Sequence, residues 1–195
     1  MVEICEKYGF KPMMWSDMFF RLAYSGDYYN SEGTMPENVR NSVPKNLSLV
    51  YWDYYSRSYE KYEAMITKHQ NFDNNIVFAG GAWKWTGFAP HNHFSFLTSR
   101  LALEACKNRG VKDVFVTGWG DNGAECSQFS VIPTLTLYAE YCFTQRADDE
   151  CLNKRLNDCF GLSLDTFMLL DTPNLMPDTV DAKERVVNPS KYIMY

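Results

Sequence analysis

The side chains best suited to chemistry in this sequence are carboxylates and large aromatic rings, and they occur close together. Three stretches combine them, namely Trp15-Ser-Asp17, Trp52-Asp53-Tyr54 and Trp119-Gly-Asp121-Asn122-Gly-Ala-Glu125. A fourth stretch, Gly80-Gly-Ala-Trp83-Lys-Trp85, has two tryptophans and no acid. Indole rings pack on the apolar faces of a pyranose, and carboxylates accept hydrogen bonds from its hydroxyl groups. The combination therefore favours a carbohydrate-binding surface.

Four of these tryptophans are almost evenly spaced along the chain. From Trp15 to Trp52 is 37 residues, followed by 31 residues to Trp83 and 36 to Trp119. This period is the length of one strand-helix unit, and each tryptophan closes or follows a short apolar run. The pattern predicts strands over residues 10–15, 47–52, 74–79 and 114–117. It predicts helices over residues 2–8, 59–70, 93–109 and 130–143, and a short one around 36–41 within a long connection, residues 16–46.

The order of these elements predicts the fold class. Near-continuous apolar strands separated by helices are typical of a parallel sheet covered by helices, an α/β fold. A complete eight-fold barrel takes about 250 residues, and four units account for half of one. We therefore predict the C-terminal half of a (β/α)8 TIM barrel over residues 1–147, followed by a partial helical extension over residues 148–195. Since the loops after barrel strands share one face, the four tryptophans are expected to meet there. The polar residues expected beside them are Asp17, Asp53, Tyr54, Asp121, Asn122 and Glu125.

Composition excludes several other classes of function. Lysines and arginines are scattered and the net charge is −5, which argues against a nucleic acid partner. No apolar run reaches the roughly 20 residues of a membrane-spanning helix. The six cysteines form no Cys-x-x-Cys pair, and no glycine-rich phosphate motif occurs, so neither a metal nor another cofactor is expected. Cysteines without a disulfide pattern favour reduced thiols and a cytoplasmic location.

Each candidate residue also has a structural interpretation. Tryptophans are commonly core residues, although four at the same place in four repeats argue for a shared surface. An aspartate after a strand, such as Asp17 or Asp53, often caps the next helix or turn. His91 and His93 flank the start of a predicted helix, where a capping or surface role is favoured over metal binding. The long connection, residues 16–46, is a candidate active-site element because loops of that length are usually functional.

Taken together, four motifs resemble glycoside hydrolase family 20, and in particular its exo-β-N-acetylhexosaminidase branch. They are Met14-Trp15-Ser-Asp17-Met-Phe-Phe-Arg21, Val50-Tyr51-Trp52-Asp53-Tyr54-Tyr55, Gly80-Gly81-Ala-Trp83-Lys-Trp85-Thr-Gly87 and Thr117-Gly118-Trp119-Gly120-Asp121-Asn122-Gly123-Ala-Glu125. In that family the barrel has eight strands, and the resemblance places these four as the fifth to the eighth.

The resemblance implies hydrolysis of terminal β-linked N-acetylglucosamine or N-acetylgalactosamine with retention of configuration. The acetamide oxygen of the substrate would act as the nucleophile. It further implies an acetamide pocket lined by Trp15, Trp52 and Trp119, a hydrogen bond from Tyr54 to the acetamide, and Asp121 on the distal sugar hydroxyls. Asp53 and Asn122 would be neighbours of this pocket.

One part of the family pattern is missing. The family's general acid belongs to an Asp-Glu pair after the fourth strand, and the Asp-Glu dipeptide of this chain is Asp149-Glu150, far from that place. The resemblance thus predicts a fragment that is inactive alone and a homo-oligomer that pairs open barrel edges. Two alternatives stay open: a glycosidase that uses its own carboxylates, Asp17, Asp53, Asp121 and Glu125, and a non-catalytic module that binds sugar or protein.

Overall fold

The computed structural model describes residues 1–30, 32–121, 125–175 and 181–184. Four strands and eight α-helices are assigned within these ranges. The strands are β1 (Met13–Trp15), β2 (Ser48–Trp52), β3 (Ile76–Gly81) and β4 (Asp113–Thr117). The helices are α1 (Val2–Lys7), α2 (Asp17–Ala23), α3 (Glu37–Ser42), α4 (Tyr59–Gln70), α5 (Asn92–Asn108), α6 (Ile132–Thr144), α7 (Asp149–Phe160) and α8 (Leu164–Met168). Short 3₁₀ helices cover Gln128–Val131, Leu169–Asn174 and Ala182–Glu184.

The strands form one sheet in the order β1-β2-β3-β4, so each strand lies beside the next one along the chain. β1 pairs with β2 in parallel, with Trp15 opposite Val50, and β2 pairs with β3 in parallel, with Trp52 opposite Ala79. The predicted α/β class is therefore confirmed. A sequential order is also compatible with part of a barrel, in which no strand is skipped.

The chain divides into two compact units. The first contains residues 1–80 and 101–115, and the second contains residues 81–100 and 116–195. This division differs from the boundary between residues 147 and 148 that the sequence suggested, and that boundary stays a prediction.

The first unit has its main core on one face of the sheet. Side chains alternate along β2, so that Leu49 and Tyr51 point to this face together with Phe78 of β3. Helices α4 and α5 cover it with buried residues Tyr62, Met65, Ile66, Ala102, Ala105 and Cys106. The alternate positions, Val50, Val77 and Ala79, form a smaller cluster on the opposite face, where Trp52 and Phe115 pack against them.

The second unit has a core made by helices. Phe96 of α5, Leu137 of α6, Leu152 and Leu156 of α7, and Leu164 and Phe167 of α8 pack together in it. Helix α7 has a well-defined start and end. The Asp148 carboxylate accepts a hydrogen bond from the Cys151 amide at 2.8 Å, and Gly161 ends the helix at φ +69°.

Two differences from the predicted elements have clear physical reasons. Helix α2 lies inside the connection that the sequence indicated as mostly loop. It was not predicted because its apolar run, Phe19, Phe20 and Leu22, is short and is followed by tyrosines, glycines and serines that are typical of loops. Strand β1 is three residues long instead of six. It pairs only as far as Trp15, because the chain leaves the sheet at Ser16 and enters α2. Among the described helices none is long and apolar enough to span a membrane.

Candidate functional site

In the first unit, tryptophans occupy the last positions of two adjacent strands. Trp15 ends β1 and Trp52 ends β2. Because Trp15 is opposite Val50, and residues 50 and 52 point to the same side of a strand, both tryptophans lie on the sheet face that α4 and α5 do not cover. The repeated position of these residues, which the sequence predicted, therefore places two indole rings on one face at the carboxyl ends of the strands.

Trp52 lies in a group of aromatic rings that we call the Trp52 cluster, formed by Tyr28, Tyr29, Trp52 and Tyr54. The Tyr28 and Trp52 ring centroids are 4.7 Å apart with an angle of 32° between their planes, and Tyr54 stacks on Trp52 at 5.4 Å. Tyr29 meets Trp52 edge-on at 5.7 Å. Tyr28 and Tyr54 are buried, whereas Trp52 is half-buried. The indole is therefore held by its neighbours while part of it still reaches solvent.

Trp15 is more exposed than Trp52. Its side chain is 37% exposed, and its ring meets the ring of Phe115 edge-on at 6.0 Å. Trp15 thus presents apolar aromatic surface on a rigid strand end, as a platform for a ligand requires.

Asp53 follows Trp52 directly and is buried, at 1% exposure. One carboxylate oxygen accepts hydrogen bonds from the backbone amides of Tyr55 and Ser56 at 2.9 and 3.0 Å. The other accepts from the hydroxyl groups of Tyr51 and Ser56 at 3.0 and 2.6 Å. Four donors thus occupy the carboxylate, and Asp53 shapes the turn that presents Trp52 and Tyr54. Asp17 lies in the first turn of α2, where Arg21 donates to it at 3.4 Å.

Sequence reasoning did not single out Tyr28, Tyr29 or Lys68, which all contribute to this region. Lys68 on α4 is 4% exposed, and its ammonium group donates to the carbonyl oxygens of Asn30, at 2.7 Å, and of Glu32. The length and the tyrosines of residues 16–46 were the available signal, and they indicated the loop without indicating which residue would reach Trp52. A single sequence does not show which strand end a long loop meets.

In the second unit, Trp83 is a core residue, at 1% exposure. Trp85 stacks on it at 4.2 Å, and Phe94 meets it edge-on at 5.3 Å. With almost none of its surface in solvent, Trp83 cannot contact a sugar in this geometry and instead supports the loop after β3.

Trp119 and Asp121 of the second unit are both exposed, Trp119 at 40%. Between the tryptophans of the preceding loop, Lys84 is buried at 1% exposure, and its ammonium donates to the carbonyl oxygen of Trp119 at 3.2 Å. This bond fixes the backbone that presents the Trp119 ring. Asn122, a further predicted site residue, lies outside the described residues.

His91 and His93 of the second unit belong to a buried polar cluster with Asp171. The Asp171 carboxylate accepts hydrogen bonds from the backbone amide and Nδ1 of His93, both at 2.8 Å, and from Asn92 Nδ2 at 3.1 Å. Burial alone would raise the pKa of Asp171, but the contacts with His91, His93 and Asn92 hold it at about 2. This geometry caps the start of α5. Across the described ranges, no group of three or more His, Cys, Asp or Glu side chains could hold a metal ion.

Comparison with known proteins adds no family assignment. No protein-family model matches the chain, and no curated protein matches it.

Proposed function

We propose that this chain is the sugar-binding part of a glycoside hydrolase of family 20, a β-N-acetylhexosaminidase. Its ligand would be a terminal β-linked N-acetylglucosamine or N-acetylgalactosamine residue of a glycan. The observation that supports this proposal best is the pair of indole rings, Trp15 and Trp52, on one sheet face at the ends of adjacent parallel strands. The same sheet, in the proposal, is half of a TIM barrel, and this face would be the barrel interior.

The Trp52 cluster suits a sugar for a physical reason. A pyranose offers an apolar face of C–H groups, which gains from contact with an aromatic plane, and the gain is greatest when the plane is already fixed. Tyr28, Tyr29 and Tyr54 pack on part of the Trp52 ring and fix it, and the part that remains in solvent is the surface offered to a sugar. Little side-chain entropy is then lost when a ligand binds.

The proposed role is binding without hydrolysis by these 195 residues alone. In substrate-assisted cleavage the acetamide oxygen of the sugar attacks the anomeric carbon, so the protein must orient the acetamide and supply a general acid. The sequence places its Asp-Glu pair, Asp149-Glu150, in the first turn of α7, where Asp149 is paired with Arg100. The pair therefore lies at the start of a helix, whereas the family's Asp-Glu pair lies in the loop after a strand.

In the alternative of a glycosidase that uses its own carboxylates, the geometry does not favour Asp53 as the general acid. A general acid must keep its proton near neutral pH and deliver it to a leaving oxygen. Asp53 instead accepts four hydrogen bonds in a buried turn and is 1% exposed, so a substrate cannot reach it.

The test is calorimetric titration of the 195-residue chain with N-acetylglucosamine, N-acetylgalactosamine and glucose, beside a hydrolysis assay with a chromogenic β-N-acetylglucosaminide. We expect one or both N-acetyl sugars to bind more tightly than glucose, with no hydrolysis. Trp52→Ala should lower that affinity about tenfold or more, because an aromatic platform is lost.

Phe143→Ala is the matched control, since Phe143 is an exposed aromatic residue of α6, at 90% exposure, outside the predicted site. Equal affinity for glucose and the N-acetyl sugars, or no effect of Trp52→Ala, would contradict the proposal. Hydrolysis by the chain alone would show that it contains its own general acid.

A further inference from the structure

The backbone amide and carbonyl of Trp52 lie past the end of β1, the strand on one side of β2. Along β2, residues 48, 50 and 52 turn their backbone groups toward β1: the Ser48 amide donates to Pro12 O at 3.0 Å, and Val50 O accepts from the Ser16 amide at 3.0 Å. The chain then leaves the sheet at Ser16 and enters α2. The next pair of β2 groups on this side, the amide and carbonyl of Trp52, therefore has no strand opposite it.

The hydroxyl group of Tyr28 takes the place of that missing strand. It accepts a hydrogen bond from the Trp52 amide at 3.1 Å and donates one to the Trp52 carbonyl oxygen at 2.9 Å. A phenol hydroxyl is both a donor and an acceptor, so one group can satisfy both backbone atoms. The Tyr28 ring meanwhile packs on the Trp52 indole at 4.7 Å. Tyr28 thus contacts the backbone and the ring of the same residue.

The loop that carries Tyr28 is held in place by contacts on both sides of this residue. Beyond Tyr28, the buried Lys68 ammonium holds the carbonyl oxygens of Asn30 and Glu32 and lies over the Tyr24 ring, 4.2 Å from its centroid. Before it, Phe20 of α2 meets the Tyr28 ring edge-on at 5.8 Å. Tyr28 is 2% exposed between these anchors. Its position is therefore determined by the surrounding elements and not by the Trp52 contact alone.

We propose that Tyr28 is a positioning residue, which fixes the end of β2 so that the Trp52 ring is held in its ligand-binding orientation. The inference deepens the proposed function and rests on it for the identity of the ligand. The two hydrogen bonds to the Trp52 backbone stand independently of any ligand.

The neighbouring residue supplies a matched control. Tyr29 also packs on Trp52, at 5.7 Å, but its buried hydroxyl has no hydrogen-bond partner among the described residues. Tyr28→Phe and Tyr29→Phe thus remove the same atom from adjacent residues of the same cluster. Only the first removes hydrogen bonds to the strand.

The experiment measures two quantities in the 195-residue chain and both variants. The first is amide hydrogen exchange at Trp52, normalised to the amide of Phe78 in β3. The second is affinity for N-acetylglucosamine and N-acetylgalactosamine at a temperature where all three proteins are folded. We expect Tyr28→Phe to accelerate exchange at Trp52 about tenfold and to weaken sugar binding, since a hydrogen bond of this kind is worth about a tenfold change. We expect Tyr29→Phe to match the wild type in both.

Unchanged exchange at Trp52 in Tyr28→Phe would overturn the inference. Faster exchange with wild-type sugar affinity would also overturn it, because the bonds would then serve stability alone. If the wild type binds neither sugar, the proposed function fails, and the exchange rate at Trp52 alone decides whether Tyr28 fixes the strand end.

Discussion

At the scale of single residues, burial decides which polar groups of this protein are free to act. Asp53 and His69 both lie next to the aromatic residues of β2, yet each is enclosed and hydrogen-bonded within the fold. The uncharged side chains of Trp15 and Trp52, in contrast, remain partly exposed to solvent.

His69 leads to a prediction about pH. Its Nδ1 donates to the Met65 carbonyl oxygen at 2.7 Å, and its ring stacks on Phe20 at 4.4 Å. Burial lowers the pKa of His69 from 6.5 to about 4, against a smaller opposite effect of the Met65 carbonyl. The unfolded chain therefore binds more protons between these values. The contribution of the neutral ring to stability is complete above pH 6.5 and is lost as the pH falls toward 4, by up to about 3 kcal/mol.

Urea unfolding between pH 7 and pH 4 tests this prediction, with His69→Gln as the comparison because glutamine does not titrate. The wild type should lose more free energy of unfolding than the variant across this range. Parallel curves for the two proteins would show that His69 does not carry the effect.

At the scale of secondary-structure elements, the helices differ in where the residue that caps the first turn comes from. Helix α4 begins where the sequence predicts, because Ser58 caps it by accepting from the Lys61 amide at 3.2 Å. Helix α5 has no acidic residue in its first turn, and its cap comes from Asp171, 78 residues later in the chain. The first kind of signal is local and can be read from the sequence, and the second cannot.

Removing each kind of cap should have a different cost. Asp148→Ala removes an exposed local cap of α7 and should cost about 1 kcal/mol. Asp171→Ala leaves the His93 amide, the His93 ring and Asn92 without their shared buried acceptor, and we expect a loss of about 3 kcal/mol. The free energies of unfolding of both variants and the wild type, measured at pH 7, test this. Equal losses in the two variants would contradict the prediction that the distant cap contributes more.

At the scale of the whole chain, the first unit exposes an apolar region around its edge strand. The large apolar side chains of this region are all more than half exposed: Ile4, Tyr8, Phe10 and Met13. β1 stands at one end of the strand order and contains only apolar residues. An apolar edge strand without charges is a site where chains pair, so self-association is expected.

Size-exclusion chromatography with light scattering over a range of concentrations measures this property. The wild type should have a mass above the 22.6 kDa of one chain. Met13→Lys, which places a charge on the edge strand, should shift it toward that mass. Leu22→Lys, a change at an even more exposed apolar residue of α2, should not. A single-chain mass for the wild type at every concentration would rule the prediction out.

The sequence by itself determined the order of the four strands and the α/β class, because apolar runs, caps and turn residues act over a few neighbouring positions. It also placed Trp15 and Trp52 at strand ends, since the repeat spacing records one strand-helix unit. Helix α4 matched its predicted bounds, residues 59–70, for the same reason.

Only the tertiary structure decided which candidate side chains are free. Trp83 and Asp53 follow strands just as the sequence indicated, but packing by Trp85 and hydrogen bonds from Tyr51 and Ser56 enclose them. Tyr28 gained its role only when a long loop brought it to the end of β2, 24 residues away along the chain. Such contacts depend on where the chain returns in space, and no local pattern of residues encodes that.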